Sequence, residues 1–193
     1  MIRPVAFALA VAAMAVLSAP AFAAEVAPGE KAPDFKGLQG TDGKQYSLSD
    51  LKDAKAVVVA FTCNNCPVAV AYEDRFNDFA KEYKAKGVTF IAINANKNSE
   101  DLAVMKERAE EKGFAFPYAF DKTGESATDY GARVTPQLYV LDGKGVVQYV
   151  GAFDDKQNGP SKHYVADAVD AVLAGKTPAT AKTKAVGCGI NNK

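Results

Sequence analysis

The sequence predicts an α/β protein: a central mixed β-sheet flanked by helices, with an N-terminal β-hairpin and a C-terminal tail. Three observations predict it. Two unbroken apolar runs of strand length, residues 56–61 (AVVVAF) and 88–94 (VTFIAIN), suit strands buried on both faces. Between them Tyr72, Phe76, Phe79 and Tyr83 recur at i, i+4, i+7 and i+11, the stripe of an amphipathic helix. Later, Asp142-Gly143-Lys144-Gly145 separates two more strand-length runs with hairpin-turn chemistry. Strands alternating with helices imply parallel pairs, and the late hairpin adds antiparallel ones.

Residues 1–23 are a different kind of sequence. Arg3 gives a short positive start, residues 5–17 are almost unbroken apolar, and Ala21-Phe22-Ala23 places small residues before a cut at Ala24. This is the pattern of a cleaved secretory signal. The apolar run falls short of the ~20 residues that a spanning helix needs, and no later segment could span a membrane. The expectation is an exported protein, periplasmic or secreted, with no membrane span after cleavage. One domain is expected over residues 24–175 and a tail over 176–193.

Within the domain, residues 30–51 form an entry hairpin. Pro33-Asp34-Phe35 leads into a strand, Gly40-Thr41-Asp42-Gly43 turns, and Ser47 or Ser49 caps a helical turn. The strand at 56–61 runs straight into Cys63-Asn64-Asn65-Cys66, and a helix continues to Lys86, capped by Gly87. After the strand at 88–94, Ser99-Glu100-Asp101 opens a helix. Its inner stripe is Leu102, Met105 and Ala109, and its charges from Glu107 to Lys112 are a solvated face. Residues 116–120 form a short strand and 126–130 a helical turn or two. Residues 137–141 and 146–150 are the hairpin strands. Val165, Ala168, Val169, Val172 and Leu173 mark a last helix ending at Gly175, beyond which the polar tail carries Cys188 and looks mobile.

Charge excludes one class of function. Lysine plus arginine and aspartate plus glutamate number 23 each, so no basic excess points to nucleic acid. Chemistry rests on the three cysteines. In an oxidising compartment they can form disulfides, but a bridge across two residues closes too small a loop to staple much chain. A redox pair explains Cys63 and Cys66 better. Placed where a buried strand hands over to a helix, Cys63 would face unpaired helix amides that favour its thiolate, and Cys66 would resolve the mixed disulfide. A metal half-site is the bland alternative, with only Cys188 and His163 left as further ligands. His163 itself reads as a solvated surface residue, and no Ser/His/Asp constellation can be built around one histidine.

Five segments carry a family likeness: APDFKGLQGTDGKQYSLSDLK, FTCNNCPVAVAYEDRF, AINANKNSE, FPYAFDKTGESATDYGARVTPQLYVLD and the closing VGCGI. Over about residues 28–193 the chain resembles the thioredoxin-like redoxin superfamily, in its alkyl hydroperoxide reductase/thiol-specific antioxidant branch. The resemblance implies a thioredoxin-like fold and a cis-proline loop at Thr135-Pro136 facing the cysteines, aligning a substrate chain by main-chain contacts. Two departures stand out. Ala56 and Ala60 replace the proline and Thr/Ser that peroxiredoxins place before the peroxide-attacking cysteine, which weighs against peroxidase activity. Val57 replaces the buried acid of thioredoxins, and Thr62 their tryptophan. The function expected is thiol–disulfide exchange through Cys63 and Cys66 with protein or small-molecule thiols and disulfides, with no cofactor beyond the pair. The alternatives are a thiol-dependent, antioxidant peroxidase and a copper(I) carrier. Cys188 is expected to exchange with the pair or to crosslink to a partner.

Overall fold

The computed structural model describes residues 24–96 and 100–191. The expected signal segment and the helix-opening Ser99 lie outside the described residues. Strand β1 (Leu38–Gly40) pairs antiparallel with β2 (Gln45–Tyr46), and a 3-10 turn (Leu48–Leu51) leads to β3 (Ala56–Phe61). Helices α1 (Pro67–Val70) and α2 (Glu73–Lys84) follow, then β4 (Val88–Asn94) and α3 (Leu102–Lys112). Next come β5 (Tyr118–Phe120), α4 (Glu125–Tyr130), β6 (Val134–Thr135), β7 (Gln137–Asp142) and β8 (Val147–Gly151). Helix α5 (Tyr164–Leu173) and the short β9 (Cys188–Gly189) close the order. The main sheet runs β2-β1-β5-β4-β3-β7-β8, parallel at β3/β4 and β4/β5 and antiparallel elsewhere.

Strand β3 lies between two cores, which is why all six of its residues are apolar and buried. Its even positions, Ala56, Val58 and Ala60, join Phe76 and Phe79 of α2, Met105 of α3 and Val165 and Val169 of α5. Its odd positions, Val57, Val59 and Phe61, meet Tyr130 of α4 and Tyr139 of β7 on the other face. Truncating a ring such as Phe76, which is 1% exposed, to alanine costs about 3–5 kcal/mol.

Four details depart from the sequence pattern. The long helix after the cysteines is broken at Ala71-Tyr72, where the Tyr72 hydroxyl donates to the buried Asp154 at 2.9 Å. Strand β5 starts at Tyr118, because Pro117 has no amide to give the ladder. Arg108, expected on a solvated face, forks onto the buried Glu73 at 3.0 and 2.7 Å and so ties α3 to α2. The tail is docked rather than loose: the Val150 amide donates to Ala181 and the Thr183 amide returns to Val150 at 3.0 Å. Gly151, at φ +148°, makes room, since a side chain there would meet Thr183. No helix among the described residues is long and apolar enough to cross a membrane.

Candidate active site

Strand β3 carries the chain to the site. The Thr62 amide still bonds Ile93 at 2.9 Å, and from Cys63 the chain leaves the sheet. Helix α1 then starts at Pro67, with Cys66 as its N-cap at φ −86° and ψ 114°. Proline biases the residue before it to extended backbone, so Cys66 cannot be helical and the helix opens beyond both cysteines. This corrects the expectation that Cys63 stands at the helix head. The four-residue α1 also offers little dipole, so the individual donors decide which sulfur is charged.

Those donors are shared out differently than expected. The amides of Asn64 and Asn65, between the cysteines, donate to the Glu100 carboxylate at 3.0 and 2.8 Å. Asn94 Nδ2 adds a third bond to Glu100 at 2.7 Å, and the Tyr118 hydroxyl donates to Asn64 Oδ1 at 2.9 Å. Glu100 is only 8% exposed, and burial raises its carboxyl above the ordinary range. By its place in Ser99-Glu100-Asp101, Glu100 reads as a helix-opening acid. The helix instead starts behind Asp101, whose side chain accepts the Val104 amide, which leaves Glu100 free to turn inward and brace the motif.

Thr135 closes the site from the opposite side. The Thr135–Pro136 bond is cis. Thr135 is 1% exposed, and both of its oxygens face the cysteines: Oγ1 lies 3.3 Å from Cys63 Sγ, and its carbonyl accepts from Cys66 Sγ at 3.1 Å. Pro136 borders a cleft of about 440 Å³ that Val68, Tyr72 and Phe153 also line. The structure thus brings Cys63, Cys66 and Thr135 together, with Pro136 beside them. It adds Cys188, because β9 pairs antiparallel with β6, setting Cys188 opposite Thr135 and Gly189 opposite Val134. The Cys188 amide points at Cys66 Sγ, 3.4 Å away.

The sulfurs differ in charge preference. Burial pushes the Cys63 thiol up, and the nearby Glu100 charge adds to that, against bonds from Thr135 and the Cys66 amide. Burial acts on Cys66 in the same sense, but the Cys188 thiol, the Ala69 and Cys188 amides and Thr135 outweigh it and leave that thiol lowered. The Cys188 thiol, donating to Cys66, is pushed up to about 11. The surroundings thus favour the thiolate at Cys66 and disfavour it at Cys63 and Cys188. Among the described residues no group of three or more His, Cys, Asp or Glu side chains is placed to hold a metal ion.

Comparison with known proteins adds the context of relatives. The Redoxin family matches residues 27–169. The thiol-disulfide oxidoreductase ResA of Bacillus thuringiensis (strain Al Hakam) is 34% identical over 128 residues, 64% of this chain and 69% of that one. A Mycobacterium tuberculosis protein provisionally named a peroxiredoxin is 27% identical over 66% of this chain and 78% of its own length. Among solved structures, a hypothetical protein of Sinorhizobium meliloti 1021 superposes with a TM-score of 0.80. It is 33% identical, over 86% of this chain and 95% of that one.

Proposed function

The chain belongs to the Redoxin family, and from that membership we propose that it is an exported thiol–disulfide oxidoreductase working through the Cys63–Cys66 pair. One observation carries the reading: the two sulfurs of a C-x-x-C motif converge on the two oxygens of Thr135, at 3.3 and 3.1 Å. Residues 1–23 support export, with 24–175 as the working domain and 176–193 as its tail.

The chemistry follows from the donor set. Cys63, 7% exposed against 1% for Cys66, is the sulfur a substrate reaches. Cys63 attacks a substrate disulfide as its thiolate, giving up its proton to solvent. One substrate sulfur bonds to Cys63, and the other leaves as a thiolate. Cys66 then attacks Cys63 Sγ, forming the internal disulfide and releasing the second substrate thiol, so two electrons have moved from the pair to the substrate. The reverse sequence oxidises a dithiol. The Cys66 amide and the Thr135 hydroxyl hold Cys63 in place while the bonds change.

Trapping tests this. Given a small aromatic disulfide, a Cys66→Ser/Cys188→Ser double variant should accumulate a stable mixed disulfide at Cys63, seen by intact mass. A Cys63→Ser/Cys188→Ser variant should accumulate little. Equal labelling of both variants would overturn the assignment. Export is checked by N-terminal sequencing of protein from the extracytoplasmic fraction, expected to begin at Ala24; recovery from the cytoplasm with Met1 intact would contradict it.

A further inference from the structure

The tail lies along Thr135, where the family resemblance implies that a substrate chain is aligned. Strand β9 takes the free side of β6, with Cys188 opposite Thr135, and the pairing continues from Ile190 N–H to the Arg133 carbonyl at 2.9 Å. The Asn191 amide anchors the far end on Asn96 Oδ1 at 2.7 Å. Such strand addition aligns a chain by its main chain and leaves its side chains to meet the site. Gly187 makes the approach possible, because a Cβ there would lie 1.8 Å from the Thr135 carbonyl oxygen. The glycine before Cys188 is therefore a fitting requirement.

The three sulfurs also form a gradient of access. Cys66 is 1% exposed, Cys63 is 7% exposed, and Cys188 is exposed at the surface. Cys63 gives external thiols only a narrow approach to the pair, whereas Cys188 touches Cys66 and is exposed to solvent.

Resting on the exchange reading above, we propose that Cys188 is a third redox-active cysteine that carries the disulfide from the buried pair to the surface. Its sulfur attacks Cys66 Sγ of the Cys63–Cys66 disulfide. The Cys66–Cys188 bond forms, the Cys63–Cys66 bond breaks, and the Cys188 proton goes to the departing Cys63 sulfur. No net oxidation occurs, so no further reactant is needed. Two external thiols then reduce the bond: the first attacks Cys188 Sγ and frees Cys66, and the second displaces Cys188 to give an external disulfide. Substrate and tail use the Thr135 main chain in turn.

The test is limited oxidation of the mature full-length chain with oxidised glutathione, followed by acid quenching, alkylation and non-reducing peptide mapping. The expected result is a crosslink between the peptide holding Cys188 and the one holding the pair. It should assign to Cys66 in a Cys63→Ser variant and form at least tenfold more slowly in Cys66→Ser. Gly187→Ala, which keeps all three cysteines but pushes the tail off β6, should lose the crosslink tenfold or more and still form Cys63–Cys66. A Cys188 recovered alkylated throughout, in wild type and Cys63→Ser alike, overturns the relay. So does a Gly187→Ala crosslink as fast as wild type. A Cys63–Cys66 disulfide that forms normally beside an unlinked Cys188 overturns the relay alone. Failure of that disulfide to form at all overturns the underlying reading as well.

Discussion

The Glu100 carboxylate accepts the Asn65 amide at 2.8 Å, so a buried acid from the start of the third helix braces the loop between two cysteines. Its second oxygen takes Asn64 N and Asn94 Nδ2, and the pair of amides cannot turn toward sulfur.

Replacing Glu100 should therefore act on both loop and sulfur. Glu100→Ala strands two loop amides and is expected to cost about 2–6 kcal/mol, at about 1–3 kcal/mol for each partly buried donor left unmade. Urea denaturation checks this. Glu100→Gln removes the charge that helps raise Cys63, so the Cys63 thiolate should form at lower pH, read as thiolate absorbance. An unchanged titration would show that the carboxylate does not act on the sulfur.

Thr135→Val tests the other side of the site. The substitution keeps the shape and the carbonyl that meets Cys66 but deletes the hydroxyl on Cys63. That hydroxyl lowers the Cys63 thiol, so its loss should raise the thiol further. A hydrogen bond to a charged group is worth roughly 1.5–3 kcal/mol, so mixed-disulfide formation near neutral pH should slow by about ten- to a hundredfold. The deficit should shrink at high pH, where both proteins carry the thiolate. A pH-independent loss would point to misfolding instead.

Two buried acids, Glu100 and Asp121, respond to environment in opposite senses. Asp121, 2% exposed, accepts from Ser126 N and Oγ at 2.7 and 2.6 Å and from Thr123 and Gly124. Burial acts to raise its carboxyl, but these bonds prevail and hold it below the ordinary carboxylate value. A depressed acid contributes stability above its unfolded pKa of about 3.9, and that stability is lost as pH falls through the folded value. Asp121→Asn should destabilise the protein by about 1–3 kcal/mol at neutral pH, with the gap closing in acid. Chemical denaturation at a series of pH values measures it; a constant gap would refute the assignment.

Peroxide should be a poor substrate. Ala60, fully buried in β3, stands where a hydroxyl would steady the peroxide oxygens. Burial also raises the Cys63 thiol rather than preparing its thiolate. Hydrogen peroxide consumption no faster than that of a free thiol is the expected outcome, and a rate a hundredfold higher that depends on Cys63 would contradict it.

The sheet was legible because its strands announce themselves: AVVVAF and VTFIAIN are apolar on both faces, and both lie in the centre. The C-x-x-C at the strand's end was equally plain. Pro67 held a signal that could have been used, since the residue before proline avoids helix and Cys66 had to be a cap. Glu100 and the tail were hidden for a different reason. An acid turning inward looks like any helix-opening acid until its donors are placed, and β9 docks through backbone atoms, leaving Gly187 and two exposed residues with no apolar pattern.

The most direct test is a redox titration of the Cys188→Ser variant across dithiothreitol ratios, with the disulfide scored by alkylation and mass. One reversible two-electron step joining Cys63 to Cys66 is expected. Two thiols that alkylate at every ratio, or a bond that dithiothreitol cannot reopen, would contradict it.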